Sequence, residues 1–166
     1  MKKLLFLLLS APLFSSAQDS CSLKSDRDPY TKEVRLSTGL IRLGDHKFSA
    51  EANAKEIDLF FALGGDALCF NDQSSAVVNF SGTRLRNTYR SGGTMNCEGF
   101  FHIIFRNTPE TSYSFRRLFE QRIGVISITN GKQTVEIKLT EEQKDLMQRA
   151  LSCLARDAKG LIPAAQ

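Results

Sequence analysis

Two histidines, four cysteines and a band of arginines have the most chemical reach in this sequence. His46 and His102 are the only histidines. There is no HExxH and no EF-hand loop, and neither His has a carboxylate pair beside it at a ligand spacing, so no metal site is implied. Asp45-His46 reads as a solvated turn. His102 shares a strand face with Phe100 and Ile104 and reads as a hydrogen-bonded core histidine. A nucleophile needs a base within hydrogen-bond reach. Cys97 and His102 are the one tempting pair, but five residues apart on a strand they point to opposite faces. No G-x-S-x-G elbow is present. Glu56 and Asp58 share a strand face, and paired carboxylates can cleave glycosidic bonds. The wet side of a sheet accounts for them as well. No catalytic residue, metal or cofactor is therefore assigned, and the sequence leans away from an enzyme.

The arginines are the better lead. Residues 84–122 hold seven basic side chains, all Arg, against three acidic ones. Arg84, Arg86 and Arg90 fall on one face of an expected strand over residues 83–90, about 7 Å and 13 Å apart by strand rise. Arg binds oxyanions bidentately. These three residues are the candidate polyanion-binding set, with an anionic glycan or a cell-envelope component as the partner class. The competing account is a solvated strand face whose charges deter edge pairing. Nucleic acid is not expected, because aromatics are not interleaved with these arginines at stacking spacing.

The N-terminus states a compartment. Lys2 and Lys3 precede an apolar run over residues 4–14, and Ser15, Ser16 and Ala17 follow. That is the layout of a secretory signal, cleaved near Ala17-Gln18. The run falls short of the roughly 20 residues needed to span a bilayer. No second long apolar run follows, so no transmembrane segment is expected in the mature chain. The residues before Cys21 match a lipidation signal poorly, so a lipoprotein is not expected. Without Lys2 and Lys3 the charge balance is near neutral, 20 basic against 18 acidic side chains. Cys21, Cys69, Cys97 and Cys153 survive cleavage. An even count in an oxidising periplasm or medium makes all four disulfide candidates. Four cysteines allow three pairings, and sequence alone does not choose. Cys69–Cys97 with Cys21–Cys153 is favoured, since the second bridge would tie down a loose N-terminus.

Residues 18–32 read as an extended lead-in, residues 33–160 as one α+β domain and residues 161–166 as a tail. Residues 34–43 have strand character, broken at Gly39, and a short strand follows around Phe48. Residues 56–63 alternate, with Ile57, Leu59, Phe61 and Leu63 on one face. Short strands are expected at residues 68–71 and 76–80, the latter forming a hairpin with residues 83–90. Residues 100–106, FFHIIFR, read as a central strand covered on both sides. Thr108 is an expected N-cap with Pro109 at the first helical position, opening a short helix near 109–121. Asn130-Gly131 marks a hairpin between residues 123–129 and 133–139. Thr140 and Gln143 form a capping box, opening an amphipathic helix to about Ala158. Its apolar stripe, from Leu146 to Ala158, should lie on a mostly antiparallel sheet.

Cys69-Phe70, Asn96-Cys97 and the ending from Leu139 to Leu154 (LTEEQ…LSCL) resemble short exported Bacteroidota proteins of unknown function. The resemblance covers most of the mature chain. It implies export and attaches no activity. The function these features favour is a non-catalytic exported binding or interaction domain. The alternatives are a secreted hydrolase with a site assembled across the fold, and an accessory to cell-envelope assembly.

Overall fold

The computed structural model describes residues 21–64 and 68–163; the expected secretory signal and its expected cleavage point lie outside these residues. The chain runs β1 (Lys24–Arg27), β2 (Val34–Ser37), β3 (Ile41–Leu43), β4 (His46–Ala52), β5 (Glu56–Ala62), β6 (Ser75–Phe80), β7 (Arg86–Arg90) and β8 (Phe100–Arg106). Then come α1 (Tyr113–Glu120), β9 (Ile123–Thr129), β10 (Thr134–Lys138), α2 (Glu141–Asp157) and a 3₁₀ turn (Ala158–Leu161). All pairings are antiparallel. One sheet has the order β1-β2-β4-β5-β8, with β3 also on β4; the other has the order β10-β9-β6-β7. The fold is α+β.

Period-two alternation decides which face of each sheet is buried. On β5, Ile57, Leu59 and Phe61 are buried, and they meet Phe48, Ala50 and Ala52 of β4 and Phe101, Ile103 and Phe105 of β8 in register. The other sheet contributes Ala76, Val78, Ile126, Ile128 and Ile137, and all join one continuous core. Burying each large apolar side chain is worth about 1.5–3 kcal/mol. The capping box on α2 is formed: Thr140 Oγ1 accepts from Gln143 N and the Gln143 side chain accepts from Thr140 N. Met147, Leu151, Leu154 and Ala155 are the buried residues of α2, which packs against α1 and against strands of both sheets. The Asn130-Gly131 hairpin forms, with Gly131 at φ 88° and Asn130 Oδ1 accepting from Lys132 N and Gln133 N. Gly39, at φ 69°, separates β2 from β3, the break expected there.

Several local expectations are corrected. β8 is not a central strand covered on both sides. It is the last strand of its sheet; Phe101, Ile103 and Phe105 face the core while Ile104 is 40% exposed. The run is apolar on its outer face because residues 91–93 lie against it: Gly92 N donates to His102 O, and a Cβ at Gly92 would sit 2.9 Å from the Ile104 side chain. The short helix is capped by Ser112, whose Oγ accepts from Phe115 N; Thr108 instead donates to Glu110 O. Asn107 holds the end of β8 through Ala158 O and Asn53 O, so residues 108–112 cross as a loop before α1 begins. Leu146 is 40% exposed and stands outside the buried stripe of α2. The expected strand at residues 68–71 is a single bridge, Phe70 to Asn96. β1 forms within the lead-in and pairs with β2.

The disulfides are Cys21–Cys153 and Cys69–Cys97. The second joins the residues flanking the Phe70–Asn96 bridge. The first fastens the start of the described chain to α2. Their sequence separations are 132 and 28 residues. Chain entropy therefore favours a larger contribution from the first, by about 1 kcal/mol. Replacing Cys21 and Cys153 together by Ser should cost about 2–5 kcal/mol in denaturant unfolding, and more than replacing Cys69 and Cys97. Equal or inverted losses would show that native-state packing, not loop closure, dominates.

Candidate ligand site on the outer face of the six-stranded sheet

The alternation that buries Ile57, Leu59 and Phe61 turns Asp58 and Phe60 outward. Register then sets their neighbours. Ser49, Phe60 and His102 form one cross-strand row; Ser37, Glu51, Asp58 and Ile104 form the next. His102 Nδ1 donates to Asp58 Oδ2 at 2.8 Å, across the diagonal between the rows. The Phe60 ring lies 5.0 Å from the imidazole. His102 and Asp58 are each about a quarter exposed, at 27% and 28% of the side chain. Asp58 Oδ1 is buried and receives no hydrogen bond from any described residue. These groups and Leu40 line a shallow hollow of about 370 Å³.

The 91–93 loop lies against the ring of His102. A Cβ at Gly93 would sit 2.9 Å from His102 Cδ2. The 91–93 loop can therefore lie against the imidazole only because no side chain intervenes. Ser49 is buried at 7% exposure although it faces outward. Glu51 is exposed, with only a 3.5 Å contact from Ser37 Oγ. The hollow thus presents carboxylate acceptors, an imidazole fixed at one nitrogen, and an aromatic wall.

The hydrogen bond to Asp58 holds the His102 pKa above its ordinary 6.5; burial works against this, and the charge of Asp58 adds to it. Nε2 makes no hydrogen bond among the described residues, and no hydroxyl lies in hydrogen-bond contact with the ring. The pair can therefore accept, donate and shift charge with pH, but it does not activate a described nucleophile. Among the described residues no group of three His, Cys, Asp or Glu side chains is placed to hold a metal ion.

The sequence-expected residues fall elsewhere or in different company. Cys97 is in a disulfide. His46 Nδ1 contacts Leu63 O at 2.5 Å. Glu56 shares the outer face of β5 with Asp58, as expected, but is exposed and sits opposite Arg106, while Asp58 bonds to His102. His102 is hydrogen-bonded, but on the outer face and not in the core. Arg86 and Arg90 are exposed on β7, the last strand of the four-stranded sheet, with Thr88 between them. Arg84 precedes β7, so the expected three-residue row is two residues on the strand and one in the turn. Glu51, Ser37 and Ser49 escaped sequence reasoning. The signal available was the turn at Asn53, whose Oδ1 accepts from Lys55 N and Glu56 N and so sets Glu51 opposite Asp58.

A larger groove, about 700 Å³, runs beside α2 past Leu23, Ile41, Phe119 and Leu146. Its charged groups are partly engaged already: Asp145 with Arg122, and Arg156 with Asp157. Arg149, also on the groove, makes no ion pair among the described residues, but the groove has no carboxylate–imidazole pair such as the hollow presents. No protein-family model, curated protein or solved structure matches the chain.

The raised His102 pKa sets a pH dependence. Its stabilisation is complete below the unfolded value near 6.5 and is lost as pH rises through the higher folded value. Urea unfolding from about pH 5 to about pH 8 should show the advantage of the wild type over His102→Gln shrinking as pH rises. A difference that is constant or grows would contradict the ion pair.

Proposed function

We propose that this chain is an exported, non-catalytic binding domain, and that the hollow around Asp58, His102 and Phe60 takes its ligand. Export rests on the N-terminal pattern, with cleavage between Ala17 and Gln18, and on two disulfides suited to an oxidising compartment. Among the described residues no helix is long and apolar enough to cross a membrane.

One observation carries the binding reading: the Asp58–His102 pair, each side chain about a quarter exposed at an aromatic-walled hollow, with Asp58 Oδ1 receiving no hydrogen bond from any described residue. An unsatisfied buried acceptor costs roughly 1–3 kcal/mol. Oδ1 itself has almost no accessible surface, so a ligand meets the exposed part of the Asp58–His102 pair and reaches Oδ1 only if that pair shifts. Glu51 supplies a second acceptor, and Phe60 and Leu40 supply apolar surface. The combination suits a small ligand with hydroxyl or amine donors on a partly apolar frame. The hollow falls within the volume range of ordinary small-molecule sites, about 300–1,000 Å³.

The hydrolase alternative draws on one feature, the imidazole oriented by a carboxylate, as a general base would be. Among the described residues no hydroxyl or thiol is hydrogen-bonded to the ring, so water would have to serve. The assembly alternative would suit a long apolar free edge. Of the terminal strands, β1, β7 and β10 carry Lys24, Arg86 and Lys138; β8 is long and apolar, but the 91–93 loop meets it, with Gly92 N donating to His102 O.

Protein recovered from the envelope or medium of the producing cell should have an intact mass starting at Gln18. Saturation-transfer NMR of that protein against glucose, glucosamine and N-acetylglucosamine should give transfer to at least one, lost in Asp58→Asn and in Phe60→Ala. Transfer unchanged by both substitutions would move the site elsewhere. Turnover of nitrophenyl esters or glycosides that disappears in His102→Gln would favour the hydrolase.

A further inference from the structure

The seven arginines of residues 84–122 do not share one fate. Arg122 is held by Glu141 at 3.1 Å and Asp145 at 2.7 Å. Arg106 lies apart on β8, opposite Glu56 in register but with no ion pair to it. The other five, Arg84, Arg86, Arg90, Arg116 and Arg117, make no ion pair with any described carboxylate. All five belong to β7, the turn before it, and α1.

These two elements are strapped together. Tyr89 Oη donates to Ser114 O at 2.9 Å, and Arg117 Nη1 donates to Asn87 Oδ1 at 3.0 Å. Arg117 is also held in place by rings: its guanidinium carbon lies 5.2 Å from the Tyr113 centroid and 6.0 Å from that of Phe80. Arg86, Arg90 and Arg116 are exposed, and Tyr113 is 69% exposed. Arg86 and Arg90, four residues apart on one strand face, are about 13 Å from each other. Between and beside them the face carries Thr88, Asn79 and Ser75, with Val77 opposite Thr88. Glu110 and Glu120 stand at the two ends of the α1 segment and pair with none of the five.

We propose that this β7–α1 surface docks an extracellular polysaccharide bearing sulfate or phosphate groups. Charge complementarity names the partner's anions, since guanidinium forks match sulfate and phosphate oxygens. Spacing and shape name a polymer: the cations are spread along a strand and a helix, not gathered in a pocket. The hydroxyl and amide groups between them suit a hydroxyl-rich chain. A membrane surface fits less well. The exposed large apolar side chains near these arginines are Leu85 and Tyr113, too few to insert as an interfacial anchor does. The surface is separate from the hollow on the other sheet, and the proposal shares with it only the export reading.

The test is binding to immobilised dextran sulfate, with neutral dextran and phosphatidylglycerol vesicles as comparison surfaces. The patch variant is Arg84→Gln/Arg86→Gln/Arg90→Gln, three exposed side chains without hydrogen-bond partners among the described residues, with folding checked by thermal melt. Lys47→Gln/Lys55→Gln/Lys159→Gln removes the same charge from exposed sites elsewhere. The patch variant should bind dextran sulfate roughly tenfold more weakly than wild type, as expected for three exposed ion pairs lost, and the lysine control much less so. Arg116→Gln should weaken the patch variant further. Equal effects of the two triple variants would reduce the patch to net charge. Vesicle binding as tight as dextran sulfate binding would overturn the polysaccharide assignment.

Discussion

The β4–β5–β8 ladder is the constraint on which the rest depends. Its side chains alternate, so one decision about which face is buried fixes everything else. Phe48, Phe61 and Phe101 commit that face to the core, each essentially inaccessible. The opposite face must then carry Glu51, Asp58, Phe60 and His102 together. A shift of one residue in any strand would reverse both faces at once, burying Asp58 and exposing Phe61. The energy that secures the core therefore also secures the hollow, and no separate interaction is needed to place its groups.

The bridges and the capping network hold the surroundings of that ladder. Cys69–Cys97 fixes the segment that leads into β8, where the Asn96 side chain bonds Phe100 O and Phe100 N. Cys21–Cys153 joins the start of the chain to the helix that closes the core. The 91–93 loop then covers the outer face of β8 closely enough that its glycines touch His102 and Ile104. The second charged surface, on β7 and α1, grows from the other sheet by the same alternation: Tyr89 points in and bonds to α1, while Arg86 and Arg90 point out.

Much of this was legible in the sequence wherever the signal was local. The alternation of β5, the Asn130-Gly131 hairpin, the Thr140/Gln143 capping box and the Gly39 break each depend on a few adjacent residues, and each formed. The disulfide pairing favoured on the need to anchor the N-terminus is the pairing present. What escaped depends on long-range register. Asp58 and His102 are 44 residues apart, and each has an innocuous local reading, one as a wet-face carboxylate and the other as a core histidine. FFHIIFR looked central because it is apolar on both faces, and nothing in the adjacent glycines announced that a loop, not a second layer, lies against its outer face. The helix start near Thr108 failed for a related reason, because Asn107 is fixed by Ala158 and Asn53. Those contacts hold the chain in a loop that propensity alone would have made helical.

The Asp58–His102 hydrogen bond is where the candidate site stands or falls, and a long-range ¹H–¹⁵N correlation spectrum of the histidine rings reads it directly. At a pH where the ring is neutral, His102 should carry its proton on Nδ1, toward Asp58 Oδ2, with Nε2 unprotonated, and Asp58→Asn should change that spectrum. An Nε2–H tautomer for His102, insensitive to Asp58→Asn, would contradict the geometry on which the ligand site is built.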